Sequence, residues 1–240
     1  MNMGLSADIR DLQSRALLDL AFAHDYYTDT KNAWKFVRRA LRGGKRLAIR
    51  NRVTGTKATT EDVAEKAREY VAGQLAEVTF SQFVAICENS VFDLLRLWLC
   101  AYPQSLAAKK ISFATVLEAS DIEAITLQVV NHELNELAYM RPREWFKYLN
   151  ERVHLGCPEL AQIERFEEIK ASRDVIVHNR GVVNQTYLRK SGVAARCRLG
   201  ESISIPEDYH RESWQFLRQL LIDVLTAAET KAAPEISDAR

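Results

Sequence analysis

Three residues within six positions offer the most chemistry in this chain: Arg173, Asp174 and His178, in the stretch FEEIKASRDVIVHNRGVVNQTYL at residues 166–188. Placed on a helix at about 100° per residue, Phe166, Ile169, Ile176 and Val177 gather on one side, and Arg173 projects from the middle of that apolar stripe with Arg180 beside it. An arginine on a packed face needs an anionic partner, a subunit boundary or a ligand to offset its desolvation. Asp174 and His178 stand four residues apart, so a carboxylate can lie alongside the imidazole, fix its tautomer and raise its pKa toward the range of a proton shuttle. Glu167 shares that side of the wheel. A guanidinium that forks onto phosphate oxygens, next to a histidine that moves a proton, is chemistry suited to a phosphodiester. The same residues also suit a plain helix end, with His178 facing the C-terminal dipole and Asn179, Arg180 and Gly181 closing the helix.

The elements that must position these residues read as helices. Nine glycines and five prolines punctuate 240 residues, and the stretches between them carry apolar side chains at helical spacing, which predicts an all-α protein. Helices are expected at about residues 7–26 and 30–41, closed by Gly43 and Gly44, and again from Thr60-Glu61 toward Leu75. In residues 83–102, 15 of 20 positions are apolar. That length is enough to span a bilayer, but Glu88, Asp93 and Arg96 interrupt it, and Asn89, Asp93 and Arg96 form one polar edge, which suits a buried core helix. Further helices are expected around residues 122–137, from Pro142 through Leu149, over about 159–179, and from Pro206 through Leu225. Residues 193–205 alternate about Gly200-Glu201 and read as a small hairpin. The tail beyond Thr230 reads as disordered.

The motif RDVIVHNRGVVN near the end of an all-helical domain resembles the signature of the HEPN superfamily, most closely its bacterial branch of RiboL-PSP-HEPN-like proteins. The resemblance spans roughly residues 71–228, because the long apolar helix, the PREWFKYLNERV segment and the helix after GESISIPEDY fall in the family's order. It implies a HEPN-like helical bundle at residues 71–229, preceded by an N-terminal helical extension at 1–70. It also implies a metal-independent endoribonuclease with no cofactor, whose composite active site forms across a homodimer and which serves as a toxin or antiphage effector with RNA as substrate and an antitoxin or defence-complex partner. In that reading Arg173 stabilises the phosphate, His178 is the general acid or base and Asp174 orients it. Asn179, Arg180, Asn184, Tyr187 and Glu88 are supporting candidates. Arg180 occupies the place where one toxin branch carries a tyrosine modified by a partner, so silencing by nucleotide attachment is not expected. The superfamily also holds members that bind without cutting.

Charge distribution adds a second candidate region. Thirty-three basic against 32 acidic residues leave a formal charge of +1, yet residues 31–57 hold ten basic side chains and no acidic one. Lys35, Arg38, Arg39, Arg42, Lys45, Arg46, Arg50 and Arg52, with Trp34 and Phe36 interleaved, form an arm suited to phosphate contacts and stacking. The same arm also suits an acidic surface of its own domain. The four cysteines are far apart, with no C-x-x-C pair and no histidine at ligand spacing, so neither a disulfide scaffold nor a zinc site is expected. The first residues lack the layout of a secretion signal, which places the expected location in the cytoplasm. No phosphate-binding glycine loop, nucleophile elbow or paired metal carboxylates are visible.

Overall fold

The structure, a computed structural model, describes residues 3–45, 49–50, 54–112, 116–117 and 119–233. No glycine or proline interrupts residues 5–42, and the chain accordingly forms one continuous helix, α1 (Met3–Arg42), where two shorter helices were expected. The polar stretch around Thr28 stays helical, with the Thr28 hydroxyl bonded back to the Asp25 carbonyl at 3.1 Å. Gly43 and Gly44 close the helix as expected, with Gly44 at a positive φ of 80° and Lys45 N bonded to Ala40 O at 3.1 Å.

Leu5, Ile9, Leu12, Ala16, Leu20, Ala23 and Tyr27 fall on one face of α1 and are all buried. They pack on α3 (Leu75–Ala101) and on the last helix, α8 (Glu207–Ala232), in one continuous core with Phe80, Phe83, Leu95, Leu217, Leu221 and Val224. The expected division at residue 70 is therefore not marked by a separate core, because the apolar face of α1 is covered by the helices it was expected to precede.

Between α1 and α3, α2 (Thr60–Glu69) begins with a reciprocal cap. Thr59 Oγ1 accepts from Asp62 N at 3.1 Å and Asp62 returns a carboxylate oxygen to Thr59 N at 2.8 Å. A single π-helical turn (Tyr70–Gln74) joins α2 to α3. Asp121 caps α4 (Ile122–Ala138), Pro142 opens α5 (Pro142–Val153), and α6 (Leu160–His178) carries the motif. Asn184 caps the short α7 (Gln185–Ser191).

Two expectations are corrected. Residues 193–205 do not form a hairpin: among the described residues the only pairing there is a single antiparallel bridge between Val182 and Ser202. Val183 N bonds Glu201 O and Ile203 N bonds Gly181 O, so residues 200–203 pair with the chain leaving α6 and bury Ile203 against Val175 and Tyr187. Helix α8 continues through Ala232, with Thr230 bonded back to Thr226 O, so the tail does not begin at residue 230; residues 234–240 lie outside the described residues. No helix among the described residues is long and apolar enough to cross a membrane.

Candidate functional site

Helix α6 ends at His178 through the sequence Asn179-Arg180-Gly181. Arg180 and Gly181 both take positive φ values, 53° and 76°, and Gly181 N bonds Val175 O at 3.1 Å. The Asn179 side-chain amide donates to Val182 O, and Asn184 Oδ1 accepts from Tyr187 N at 2.9 Å. These two asparagines thus shape the turn and cap the next helix, and Arg180 is exposed. The result is a fixed C-terminus that presents His178 to solvent. Its side chain is exposed and has no hydrogen bond or ion pair among the described residues. It lines a cleft of about 220 Å³ together with Asp174, Asn179, Asn184, Thr186 and Lys190.

Arg173 lies five residues before His178, about 140° round the helix, and its partner is Glu88, from the apolar helix α3. Glu88 is one of the polar interruptions of that helix, and it holds both Arg173 and Lys170, the latter at 2.6 Å. Asp174 in turn accepts from Lys190 at 3.1 Å and forms ion pairs with Arg173 at 3.3 Å and Lys170 at 3.5 Å. Three cations and two carboxylates make one network, each side chain between 14% and 33% exposed, joining α3, α6 and α7. Arg173 Nε is buried without a hydrogen-bond partner. The anionic partner demanded by an arginine on the packed face is therefore internal. The expected Asp174 to His178 contact is absent, because the Asp174 oxygens are occupied by Lys170, Arg173 and Lys190 and no bond joins it to the imidazole.

A second cluster beneath the site escaped sequence reasoning. Glu168 is 4% exposed, and its carboxylate accepts from Ser172 at 2.6 Å, Arg196 at 3.0 Å, Tyr187 at 3.1 Å and Tyr209 at 2.7 Å. The Arg196 guanidinium also lies over the Tyr209 ring at 3.4 Å. Burial, with the Glu168 charge close by, pushes the Tyr209 hydroxyl far above its ordinary pKa, and burial raises Tyr187 as well. Tyr187, which also lines the cleft, therefore locks α7 and residues 195–196 onto α6 through its hydroxyl. Glu167 is tied instead to Arg141 at 2.9 Å. Of these partners only Ser172, four positions from Glu168, and Lys170, three from Arg173, had a helical signal. Arg196, Tyr209 and Lys190 come from other elements with no fixed spacing.

The basic arm is divided. Lys31 pairs with Glu207 of α8 and is mostly covered. Lys35, Arg39, Arg42, Lys45 and Arg50 are exposed, Arg38 is half-buried, and none of the six has an ion pair among the described residues. Arg46 and Arg52 lie outside the described residues. Trp34 packs edge-on against Tyr70, whereas Phe36 is 69% exposed. Trp98 and Trp145 are buried in the core, and Trp214, half-buried, stacks on His24. His132 is exposed, and His154 ends α5 in a left-handed conformation. The cysteines are free, and no group of three or more metal-ligating side chains is assembled among the described residues.

No protein-family model, curated protein or solved structure matches this chain.

Proposed function

We propose that this chain is a metal-independent endoribonuclease of HEPN type, with His178 moving a proton and Arg173 stabilising the scissile phosphate across a homodimer. The observation that carries this reading is His178 itself: an exposed, unpartnered imidazole at a capped helix end, lining a cleft five residues on from an arginine embedded in a cationic network. Cleavage by 2′-hydroxyl attack forms a bond from the 2′-oxygen to phosphorus and breaks the bond to the 5′-oxygen, leaving a 2′,3′-cyclic phosphate and a 5′-hydroxyl. One group must take the 2′ proton and another must supply one to the leaving oxygen. A single His178 cannot be both base and acid at the same instant, so two chains supply the pair. Asp174 is assigned to holding Arg173 and Lys190 in place. Exposed Lys35, Arg39, Arg42 and Lys45 supply phosphate contacts for capture. A defence or toxin role, with a neutralising partner, belongs to this reading.

One observation favours a second reading, a HEPN-like module that binds nucleic acid or protein without cutting: the Arg173 guanidinium is already taken by Glu88 and Asp174. The test is incubation of total RNA with purified protein in EDTA, beside His178→Ala and Arg173→Ala, read for cyclic phosphate ends. Cutting by wild type and loss of at least about a hundredfold in both variants is the expected result. Equal inactivity of all three, with RNA still bound, selects the binding module.

A further inference from the structure

Helix α1 has a second face that the fold leaves open, with four large apolar side chains and the exposed carboxylates Asp25 and Asp29 between them. Leu18, Phe22 and Phe36 are each 69% exposed and Tyr26 is 52% exposed. At about 100° per residue the first three fall within roughly 40° of one another, with Tyr26 at the margin, on the side opposite Ile9, Ala16 and Tyr27. The stripe runs about 27 Å along the helix. Large side chains exposed to this degree offer roughly 500 Å² of apolar surface, so two such faces in contact bury at most about 1,000 Å², the size of a weak interface, and the charges must add to it.

The charges on α1 say what covers it. Through residue 30 the helix carries Asp8, Asp11, Asp19, Asp25 and Asp29 against Arg10 and Arg15; from residue 31 it carries Lys31, Lys35, Arg38, Arg39 and Arg42 and no acid. Asp19, Asp25, Asp29, Lys35 and Arg39 are exposed. A second α1 laid antiparallel about a two-fold axis near residue 30 sets the acidic half of each helix along the basic half of the other, Asp25 toward Lys35 and Asp29 toward Lys31, while a parallel mate sets like on like. RNA does not match the whole stripe, because Leu18 and Phe22 lie in the acidic half. We propose that α1 is a self-association surface, whose occupant is the α1 helix of a second copy of this chain in antiparallel orientation. This seam does not depend on the ribonuclease reading: α1 packs mainly on α3 and α8, whereas the helix that carries His178, α6, packs on α3, α5 and α7 and, to a smaller extent, on α8.

The test is the mass in solution of the full-length, nuclease-treated protein by light scattering and sedimentation, with circular dichroism as the check on folding. Leu18→Glu with Phe22→Glu is expected to halve the mass, or to weaken association at least about tenfold. The triple variants Asp19→Lys/Asp25→Lys/Asp29→Lys and Lys35→Glu/Arg39→Glu/Arg42→Glu are each expected to self-associate poorly and to recover the wild-type mass when mixed one to one. A four-chain wild type that falls to two chains in the Leu18/Phe22 variant also supports the seam, the remaining pair being made elsewhere. A wild type that stays monomeric, a mass unchanged in the Leu18/Phe22 variant, or a gain in mass only when RNA is added overturns it. RNA cleavage by the same preparations is read separately, so loss of the α1 seam and loss of the catalytic reading are distinguishable.

Discussion

At the residue scale, the histidine that can act and the histidine that cannot differ by what surrounds them. His178 faces solvent, whereas His210 is fully buried, bonded to Thr79 Oγ1 at 2.8 Å and packed on Tyr27 and Phe83. Burial, reinforced by the nearby Lys31 and His24 charges, lowers the His210 pKa to about 4 from an ordinary 6.5. Its folded pKa lies below its unfolded value, so the unfolded chain takes up the proton first. The contribution of neutral His210 is complete above pH 6.5 and is lost as pH falls through the window down to about 4, to a ceiling of about 3 kcal/mol. Denaturant midpoints measured between pH 7 and 4 are expected to fall, and the fall should be shallower in His210→Phe. That variant leaves no orphan, since Thr79 keeps its bond to Leu75 O at 2.7 Å. A slope equal to wild type in His210→Phe would assign the pH dependence to carboxylates instead. Glu168 gives a second residue-scale prediction: Glu168→Ala strands Arg196 and two tyrosine hydroxyls in a buried place and should cost about 3–5 kcal/mol in urea unfolding.

At the scale of elements, the end of α6 is the piece on which the catalytic reading depends. Gly181 sits at φ 76° with the Ile203 carbonyl 3.5 Å from where a side chain would begin, so Gly181→Ala carries a backbone penalty of about 1 kcal/mol. Because the same turn sets the direction of His178, cleavage should fall more than stability, and a variant that unfolds earlier yet cuts at the wild-type rate would dissociate the turn from the site. The Thr59 cap has no link to the cleft, and Thr59→Ala is expected to lower stability by about 1 kcal/mol with RNA cleavage unchanged. Much of the helical layout was legible in advance. Thr60-Glu61, Pro142 and Pro206 are local signals, and local backbone bonding decides where those helices begin. The hairpin was misread because alternation in residues 193–205 says that one side is buried without saying which strand lies beside it.

For the whole molecule, the issue is whether α1 is an appendage. Its buried residues from Leu5 to Tyr27 share a core with α3 and α8, and Arg10 pairs with Glu229 at 2.6 Å from the far end of the chain. Removal of residues 1–42 should therefore expose the faces of α3 and α8 and abolish cooperative unfolding, which circular dichroism on heating would register. A truncated chain that melts sharply near the wild-type Tm would restore the picture of an extension attached to a separate domain.

The sequence alone determined the all-α class, most helix ends, and the grouping of Arg173, Asp174 and His178 near one helix terminus, because these depend on spacing within a single helix. Burial of Trp98 and Trp145 followed from the same periodicity. Only the tertiary structure decided what those side chains touch. Asp174 was expected to hold His178, and instead holds Arg173, Lys170 and Lys190, since a partner eighty-five residues away in sequence, Glu88, draws Arg173 across to α3 and another helix brings Lys190 alongside. The Glu168 cluster has the same origin. Charges in a low-dielectric interior are satisfied by whichever opposite group the packing delivers, and packing is a property of the assembled helices and not of any one of them.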